Sequence, residues 1–275
     1  IRFLKRIPSL YSQDKLIESI KKDHQTKNEY YPNRILIKAG NQTYPIFCPD
    51  IINNERKPNK DGFINTGFIR TYNLFLFIAS DWYMRKEINN FVHYAKKYNK
   101  FADLGSAEGF HSALFASIHR EKAEILSVDC FADEGSDPEK INILNKQNSD
   151  IFKPKFWEIA RAFLTDDCQK KIPWKLNKNV EITTLPDLFR KYNFFPDLIK
   201  FDIESYEYEV LKSSMNYLKQ HKPTLIIEIH NVMLKERGLY FKPILEDLYK
   251  IGYKLKLKDQ RDYLNKDSHL VLSCD

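Results

Sequence analysis

Short apolar runs alternate with helix-like stretches along the chain from about residue 100. Five of these runs have the composition of strands: Lys100 to Leu104, Glu124 to Asp129, Lys155 to Ala160, Asp197 to Ile203 and Thr224 to His230. Between the last two runs, Val210, Leu211, Met215 and Leu218 recur at the spacing of one helix face. This alternation predicts an α/β fold with a doubly wound, mainly parallel sheet.

The two ends of the chain depart from this pattern. Near the C-terminus, "YKLKLK" alternates with period two and "SHLVLSC" follows after a polar loop, which predicts an antiparallel strand pair. Residues 1–70 contain five prolines and no long periodic run, so we interpret them as an N-terminal extension packed on a domain of residues 71–275. Tyr44 to Pro49 is a strand candidate, and Asp81 to Lys97 has the pattern of a helix.

Charge and cysteine content narrow the class of protein. The net charge of +7 comes from the N-terminal part, because residues 1–100 carry 18 Lys and Arg against 9 Asp and Glu, whereas residues 101–275 carry 26 against 28. A basic extension attracts an anionic acceptor or a membrane surface, although a merely solvated surface explains it equally well. The 4 cysteines show no C-x-x-C spacing, which favours a cytoplasmic protein without zinc or disulfides. No apolar run approaches the roughly 20 residues of a membrane span.

The segment "FADLGSAEGFHSALFA" has the form of a strand, a glycine turn and a helix. A dinucleotide fingerprint, G-x-G-x-x-G, uses its glycines to admit a pyrophosphate. When its second glycine is aligned with Gly105, Asp103 and Glu108 stand where the other two glycines belong. Carboxylates at these places oppose a diphosphate and suit a positively charged ligand. S-adenosylmethionine, with an ammonium and a sulfonium group and no phosphate, is such a ligand.

Five residues are the predicted cofactor contacts around this turn. Asp103 is expected near the ammonium group, and Asp129, at the end of the next strand, near the ribose hydroxyls. Gly105 turns the chain off the strand, and we expect a larger side chain there to fill space that the ligand needs. Ser106 follows in the turn, and Gly109 allows the helix to begin close to the ligand.

Longer motifs resemble the FkbM-like methyltransferases, a family of class I S-adenosylmethionine-dependent enzymes. The motifs are "FADLGSAEGFHS", "SVDC" and "TLPDLF…PDLIKFDIESYEYEVLKSS…PTLIIEIH", within a resemblance that covers residues from about 80 to 275. It implies a Rossmann-like, seven-stranded sheet, S-adenosylmethionine as cofactor and, usually, O-methylation of a small molecule or glycan. Ser205 and Ser213 stand where the family usually has glycine, and Asp129 where it usually has glutamate followed by proline.

A polar constellation is predicted at the acceptor end of the sheet. Strand alternation places Lys200, Asp202 and Glu204 on one face of "DLIKFDIE". The same parity pairs Glu228 with His230 on a strand expected to be its neighbour. We assign His230 as the general base, with Asp202 or Glu204 orienting it or the acceptor, and Asp202 also near the cofactor. Two alternatives stay open: a divalent metal on these groups, which is less favoured, and a structural network in which Lys200 neutralises Glu228.

The predicted function is therefore a cytoplasmic S-adenosylmethionine-dependent methyltransferase acting on a hydroxyl of a small molecule or glycan precursor. A nicotinamide-dependent oxidoreductase on the same type of sheet is the competing enzyme class. A third hypothesis is a non-catalytic module that binds anions or nucleic acid through the basic extension. Nucleic acid is not favoured, because the sequence lacks a basic motif interleaved with aromatic residues.

Overall fold

The computed structural model describes residues 34–47, 82–130, 138–169 and 180–275. Its strands are β1 Arg34–Ala39, β2 Gln42–Phe47, β3 Lys100–Leu104, β4 Glu124–Asp129, β5 Phe156–Leu164, β6 Glu181–Thr183, β7 Leu198–Phe201, β8 Thr224–Ile229, β9 Lys254–Lys258 and β10 Ser268–Ser273. Its α-helices are α1 Trp82–Ala95, α2 Phe110–His119, α3 Pro138–Phe152, α4 Leu185–Lys191, α5 Glu207–Ser213, α6 Met215–His221, α7 Asn231–Glu236 and α8 Lys242–Lys250. No helix in these ranges is long and apolar enough to cross a membrane.

Eight strands form the main sheet in the order β6-β5-β4-β3-β7-β8-β10-β9. The strands from β6 to β8 pair in parallel, whereas β10 pairs antiparallel with both β8 and β9. The predicted doubly wound sheet and its antiparallel C-terminal pair are thus confirmed. The described part of the sheet has one strand more than the seven expected, because the three-residue strand β6 adds to the edge beside β5.

The order of the strands reverses at β3, which lies between β4 and β7. Ligands of open α/β sheets bind in the crevice at the carboxyl ends of the strands beside such a reversal. The glycine turn follows β3 directly, and Asp129 ends β4. Topology therefore places both of them at the crevice.

Alternate residues of the central strands enter two separate cores. Phe101 packs with α1, α2 and α3 on one face of the sheet, whereas Ala102 and Leu104 pack with the later helices on the other. Because both faces are covered, strand β7 is buried at all four positions, including the charged Lys200. At the far edge, β9 alternates between half-buried leucines and the exposed residues Lys254, Lys256 and Lys258.

A hairpin of β1 and β2 packs against the first of these cores. Ile37 and Ile46 are fully buried in it, and the Asn148 side chain of α3 bonds both backbone groups of Phe47, at 2.9 Å to N and 2.7 Å to O. The predicted strand at Tyr44 to Pro49 corresponds to β2. Residues 1–33 and 48–81 lie outside the described ranges, so the division between residues 70 and 71 stays a prediction.

Candidate active site

The glycine turn after β3 lies against the end of β7. Gly105 has φ +78°, and a Cβ placed there would lie 1.7 Å from the carbonyl oxygen of Asp202. The need for glycine therefore comes from the backbone of the neighbouring strand, which corrects the expectation that a side chain would fill ligand space. Gly109, with φ +81°, precedes the first residue of α2, and a Cβ there would meet the Asn145 side chain at 2.2 Å.

Several buried polar groups beside this turn lack a hydrogen-bond partner among the described residues. Asp103 is 1% exposed, and its Oδ2 accepts from Ser112 N at 3.1 Å and Ser112 Oγ at 2.7 Å, while its Oδ1 has no partner. Ser106 Oγ and both side-chain polar atoms of Asn145 are likewise buried and without a partner. Such groups cost stability unless a ligand or water satisfies them.

Asp129 supports the turn from the neighbouring strand. Its Oδ2 accepts a hydrogen bond from the backbone N of Ala107 at 2.7 Å, and Ala107 has the left-handed φ of +45°. The carboxylate predicted to contact the ribose thus also holds the loop in shape. Asp129 lies at the end of β4, beside the crevice where the strand order predicts that a ligand binds.

Lys200 and Asp202 form an ion pair at the end of β7, at 2.8 Å between Nζ and Oδ2. Burial would lower the pKa of Lys200, yet Asp202, Asp103 and nearby glutamates hold it above its ordinary value. Burial would raise the pKa of Asp202, but Lys200 and His230 hold it well below its usual range. The alternative in which Lys200 neutralises Glu228 stays open, because Glu228 also contributes to the raised pKa of Lys200, although the closest ion pair of Lys200 is with Asp202.

His230 lies among four carboxylates at the end of β8. Its Nδ1 lies 3.1 Å from Glu207 Oε1, and its Nε2 faces three carboxylate oxygens at 3.7, 3.8 and 4.0 Å, from Asp202, Glu204 and Glu228. Burial alone would lower the pKa of His230, but these carboxylates, with Glu207 first, raise it to about 10. The ring is therefore protonated at neutral pH in this arrangement.

A second buried histidine continues the charged network away from the crevice. His269 of β10 lies 3.3 Å from Glu228, 3.4 Å from Glu87 of α1 and 3.2 Å from Asp259. Burial would raise the pKa of Glu87, but His269 and His111 lower it to about 2. Glu228 thus lies between His230 and His269, and it links the charged groups of the crevice to Glu87 of α1.

The turn between β7 and α5 has an uncommon backbone. Glu204 and Ser205 both have positive φ, +53° and +78°, in the region that glycine adopts most readily. Ser205 thus has the backbone conformation of the glycine that the family resemblance leads us to expect at this position. Burial raises the pKa of Glu204, whose side chain is still 56% exposed.

The structure brings the predicted cofactor and catalytic residues to one edge of the sheet, since Gly105 contacts Asp202 directly. Asp202, Glu228 and His230 offer ligand atoms within 4.8 Å of one another, so a divalent ion could take the place of the proton on His230 Nε2. Sequence reasoning missed Glu207, Glu87 and His269 as members of this network. The sequence did contain a feature that could have identified Glu207, because this residue is the second glutamate of the segment "DIESYE".

The sheet, its reversal at β3 and the glycine turn define a Rossmann-like α/β class of protein. Residues 160–255 match the model of the methyltransferase FkbM domain, which confirms the family resemblance over this segment. No curated protein matches the sequence. The segment includes Asp202, Glu204, Glu207 and His230, whereas the glycine turn lies outside it.

Solved structures show a general likeness of fold at low identity. Methyltransferase FkbM from Methylobacillus flagellatus KT is 16% identical with a TM-score of 0.45, over 77% of this chain and 63% of that chain. An O-methyltransferase from Bacillus cereus in complex with SAH is 10% identical with a TM-score of 0.37, over 77% and 91%. Aeropyrum pernix fibrillarin with bound S-adenosyl-L-methionine is 12% identical with a TM-score of 0.36, over 65% and 67%. This chain thus spans less than two thirds of the first of these structures, and likenesses at such scores do not define its function.

Proposed function

We propose that the protein is an S-adenosylmethionine-dependent methyltransferase that methylates a hydroxyl oxygen of a small molecule or glycan. The observation that carries this proposal is the buried Asp103 Oδ1, which has no hydrogen-bond partner among the described residues and lies beside the glycine turn. An ammonium group would satisfy it with a charge-assisted hydrogen bond. Ser106 Oγ, also buried without a partner, would meet a polar group of the same ligand.

The surrounding charge supports a cationic cofactor. Asp103 and Glu228 lie on β3 and β8, whose ends meet at this edge. Asp202 and Glu204 follow directly after β7, which lies between these two strands. Lys200 and the protonated His230 neutralise only part of the charge of these four carboxylates. A nicotinamide dinucleotide would bring a diphosphate to the same turn, where these carboxylates oppose it. The geometry therefore favours the methyltransferase over the oxidoreductase.

His230, Asp202 and Glu204 are the proposed catalytic groups. When bound, the cofactor supplies a methyl group already activated by its sulfonium, so the protein's task is to orient the acceptor and remove its proton. Because the raised pKa of His230 keeps it protonated, it can act as the base only after a positive ligand beside Asp202 has lowered that pKa and the Nε2 proton has been released to solvent. Glu204, partly exposed and 3.8 Å from His230 Nε2, is the carboxylate that we propose passes the proton to solvent once the two groups close to hydrogen-bond distance.

Calorimetric titration with S-adenosylmethionine and with S-adenosylhomocysteine tests the cofactor assignment. We expect Asp103→Asn to weaken binding of S-adenosylmethionine roughly tenfold to more than a hundredfold, since a hydrogen bond to a charged group contributes about 1.5 to 3 kcal/mol. The matched control is Ser112→Ala, which removes one bond to Asp103 Oδ2 but leaves the carboxylate, so affinity should stay within a few-fold.

Saturable binding of NAD with no binding of S-adenosylmethionine would instead support the oxidoreductase. Unchanged affinity in a folded Asp103→Asn variant would refute the role of this carboxylate. A screen of hydroxyl-bearing acceptors with labelled cofactor then tests the oxygen specificity, and addition of a chelator tests for a metal at Asp202, Glu228 and His230.

A further inference from the structure

We propose that Glu207 is a positioning residue, whose single buried carboxylate fixes both the His230 ring and the strand end that carries Asp202 and Glu204. The catalytic meaning of this role rests on the proposed function, whereas the contacts themselves do not depend on it. Among the described residues, the hydrogen bonds of Glu207 reach only Ile203 and His230.

The contacts of one oxygen carry the inference. Glu207 is 0% exposed, and its Oε1 accepts from the backbone N of Ile203 at 2.9 Å and lies 3.1 Å from His230 Nδ1. Because Ile203 lies between Asp202 and Glu204, the first bond fixes the place from which both side chains project. The second joins the end of β8 to the end of β7.

The orientation of the His230 ring follows from the same bond. When Nδ1 donates to a carboxylate, Nε2 points away from it, here towards the oxygens of Asp202, Glu204 and Glu228. An acidic partner on one ring nitrogen commonly fixes the tautomer and direction of a functional histidine. Glu207 therefore determines which ring nitrogen faces the crevice.

The backbone before α5 turns so that the carboxylate of Glu207 reaches Ile203 N. The left-handed residues Glu204 and Ser205 reverse the chain, so that Glu207 returns to within hydrogen-bond distance of Ile203 N. Two non-glycine residues in this region are unfavourable, because the Cβ atom of each crowds the following carbonyl oxygen. Contacts from Arg237 offset part of this cost.

Arg237 of the segment after α7 holds the reversed turn. Its Nη1 donates to Ser205 O at 2.7 Å and to Ser205 Oγ at 3.0 Å, while its Nη2 donates to Glu209. The guanidinium also lies 4.4 Å from the ring centroid of Tyr206. The conformation that places Glu207 is thus maintained from outside the crevice.

The test compares two buried glutamates on the same helix. Glu207→Gln keeps an acceptor oxygen and removes the charge, and Glu207→Ala removes both. The control is Glu209→Gln, which removes a second buried charge, 4% exposed, from the same helix but keeps an oxygen that can accept from Arg237 Nη2. Unfolding midpoints and S-adenosylhomocysteine affinity establish that each variant is folded.

Nuclear magnetic resonance of histidine-labelled protein provides the spectroscopic readout. We expect the hydrogen-bonded Nδ1–H signal of His230, assigned with His230→Gln, to shift in Glu207→Gln and to vanish in Glu207→Ala. Hydrogen exchange of the Ile203 amide should quicken about tenfold or more in Glu207→Ala. Glu209→Gln should leave both signals as in the parent protein.

Unchanged His230 and Ile203 signals in a folded Glu207→Ala variant would overturn the inference. Equal changes in Glu209→Gln would also overturn it, because they would show a general loosening of α5. Failure of the parent protein to bind S-adenosylmethionine or S-adenosylhomocysteine would sink the proposed function alone, since the His230 and Ile203 readouts need no ligand.

Discussion

At Gly105 the chain passes so close to Asp202 that a methyl group has no room. We expect Gly105→Ala to lower the free energy of unfolding by more than about 3 kcal/mol, because positive φ and a clash with backbone add together. Gly238→Ala is the matched control, since Gly238 has a similar φ of +70° and no atom within 4 Å of the place that a methyl group would take. It should cost only about 1 to 2 kcal/mol. Urea denaturation of both variants measures the difference.

Equal losses for the two glycine variants would show that backbone conformation alone matters at Gly105. Because urea denaturation of Gly105→Ala and Gly238→Ala is measured on the protein alone, it reports the effect of Gly105 on stability and not its effect on ligand binding. A glycine in a cofactor motif invites the explanation that the ligand needs space, yet here the neighbouring strand already occupies that space. Any loss of cofactor affinity in Gly105 variants would then follow from displacement of the end of β7.

Among the elements, the β1–β2 hairpin depends on one side chain of α3. Asn148→Ala removes both hydrogen bonds to Phe47, and we expect each to contribute about 0.5 to 1.5 kcal/mol. Amide hydrogen exchange in β1 and β2 should therefore quicken by about fivefold to more than a hundredfold, while β3 is unaffected. The control is Asn89→Ala, which removes a single exposed bond to Gly40 N and should change little. Equal protection of the hairpin in both variants would contradict its dependence on α3.

Local pattern predicts the central elements of this fold well. The bounds of β3 and β4 follow from apolar runs that end at a glycine turn or at Asp129. His230 lies close to Asp202 and Glu204 as predicted, but strand parity is not the reason, because β7 ends at Phe201 and Glu204 lies in the turn that follows. The partners of His269 could not be predicted from local pattern. These partners come from α1, from the end of β9 and from β8. A periodic pattern does not indicate which side chains, distant in sequence, meet in a core.

Glu207 shows a different limit of sequence reasoning. It stands in a recognised motif, but its inward direction depends on two consecutive left-handed residues, Glu204 and Ser205. Neither residue type favours that conformation, so the reversal could not be inferred from propensity. The ionisation of His230 was missed for the same reason, because the carboxylate against Nδ1 comes from that turn.

For the whole molecule, the buried network predicts an optimum of stability in mildly acidic solution. The contribution of Glu87, whose pKa falls from 4.5 to about 2, is fully present above pH 4.5 and is lost as the pH falls through 2. The contribution of His230, whose pKa rises from 6.5 to about 10, is fully present below pH 6.5 and is lost as the pH rises to 10. The free energy of unfolding should therefore be greatest between pH 4.5 and 6.5.

Urea denaturation from pH 2 to pH 10 measures this profile. His230→Gln should reduce the slope of the alkaline limb, and it should weaken the acidic limb only by the part that His230 contributes to the lowered pKa of Asp202. A stability that stays constant between pH 6.5 and pH 10 in the parent protein would contradict the assignment of protonated, paired histidines. His269, whose pKa also lies well above its ordinary value, adds to the alkaline slope in both proteins.

The lysines of β9 have a consequence for the protein in concentrated solution. In the described sheet, β9 pairs with β10 on one side only, so its other side presents unpaired backbone groups that could join the edge of a second molecule. Exposed Lys254, Lys256 and Lys258 would then face the like charges of that copy at close range. Repulsion between these rows of charge would guard the edge against aggregation, although residues 101–275 as a whole carry no excess of positive charge.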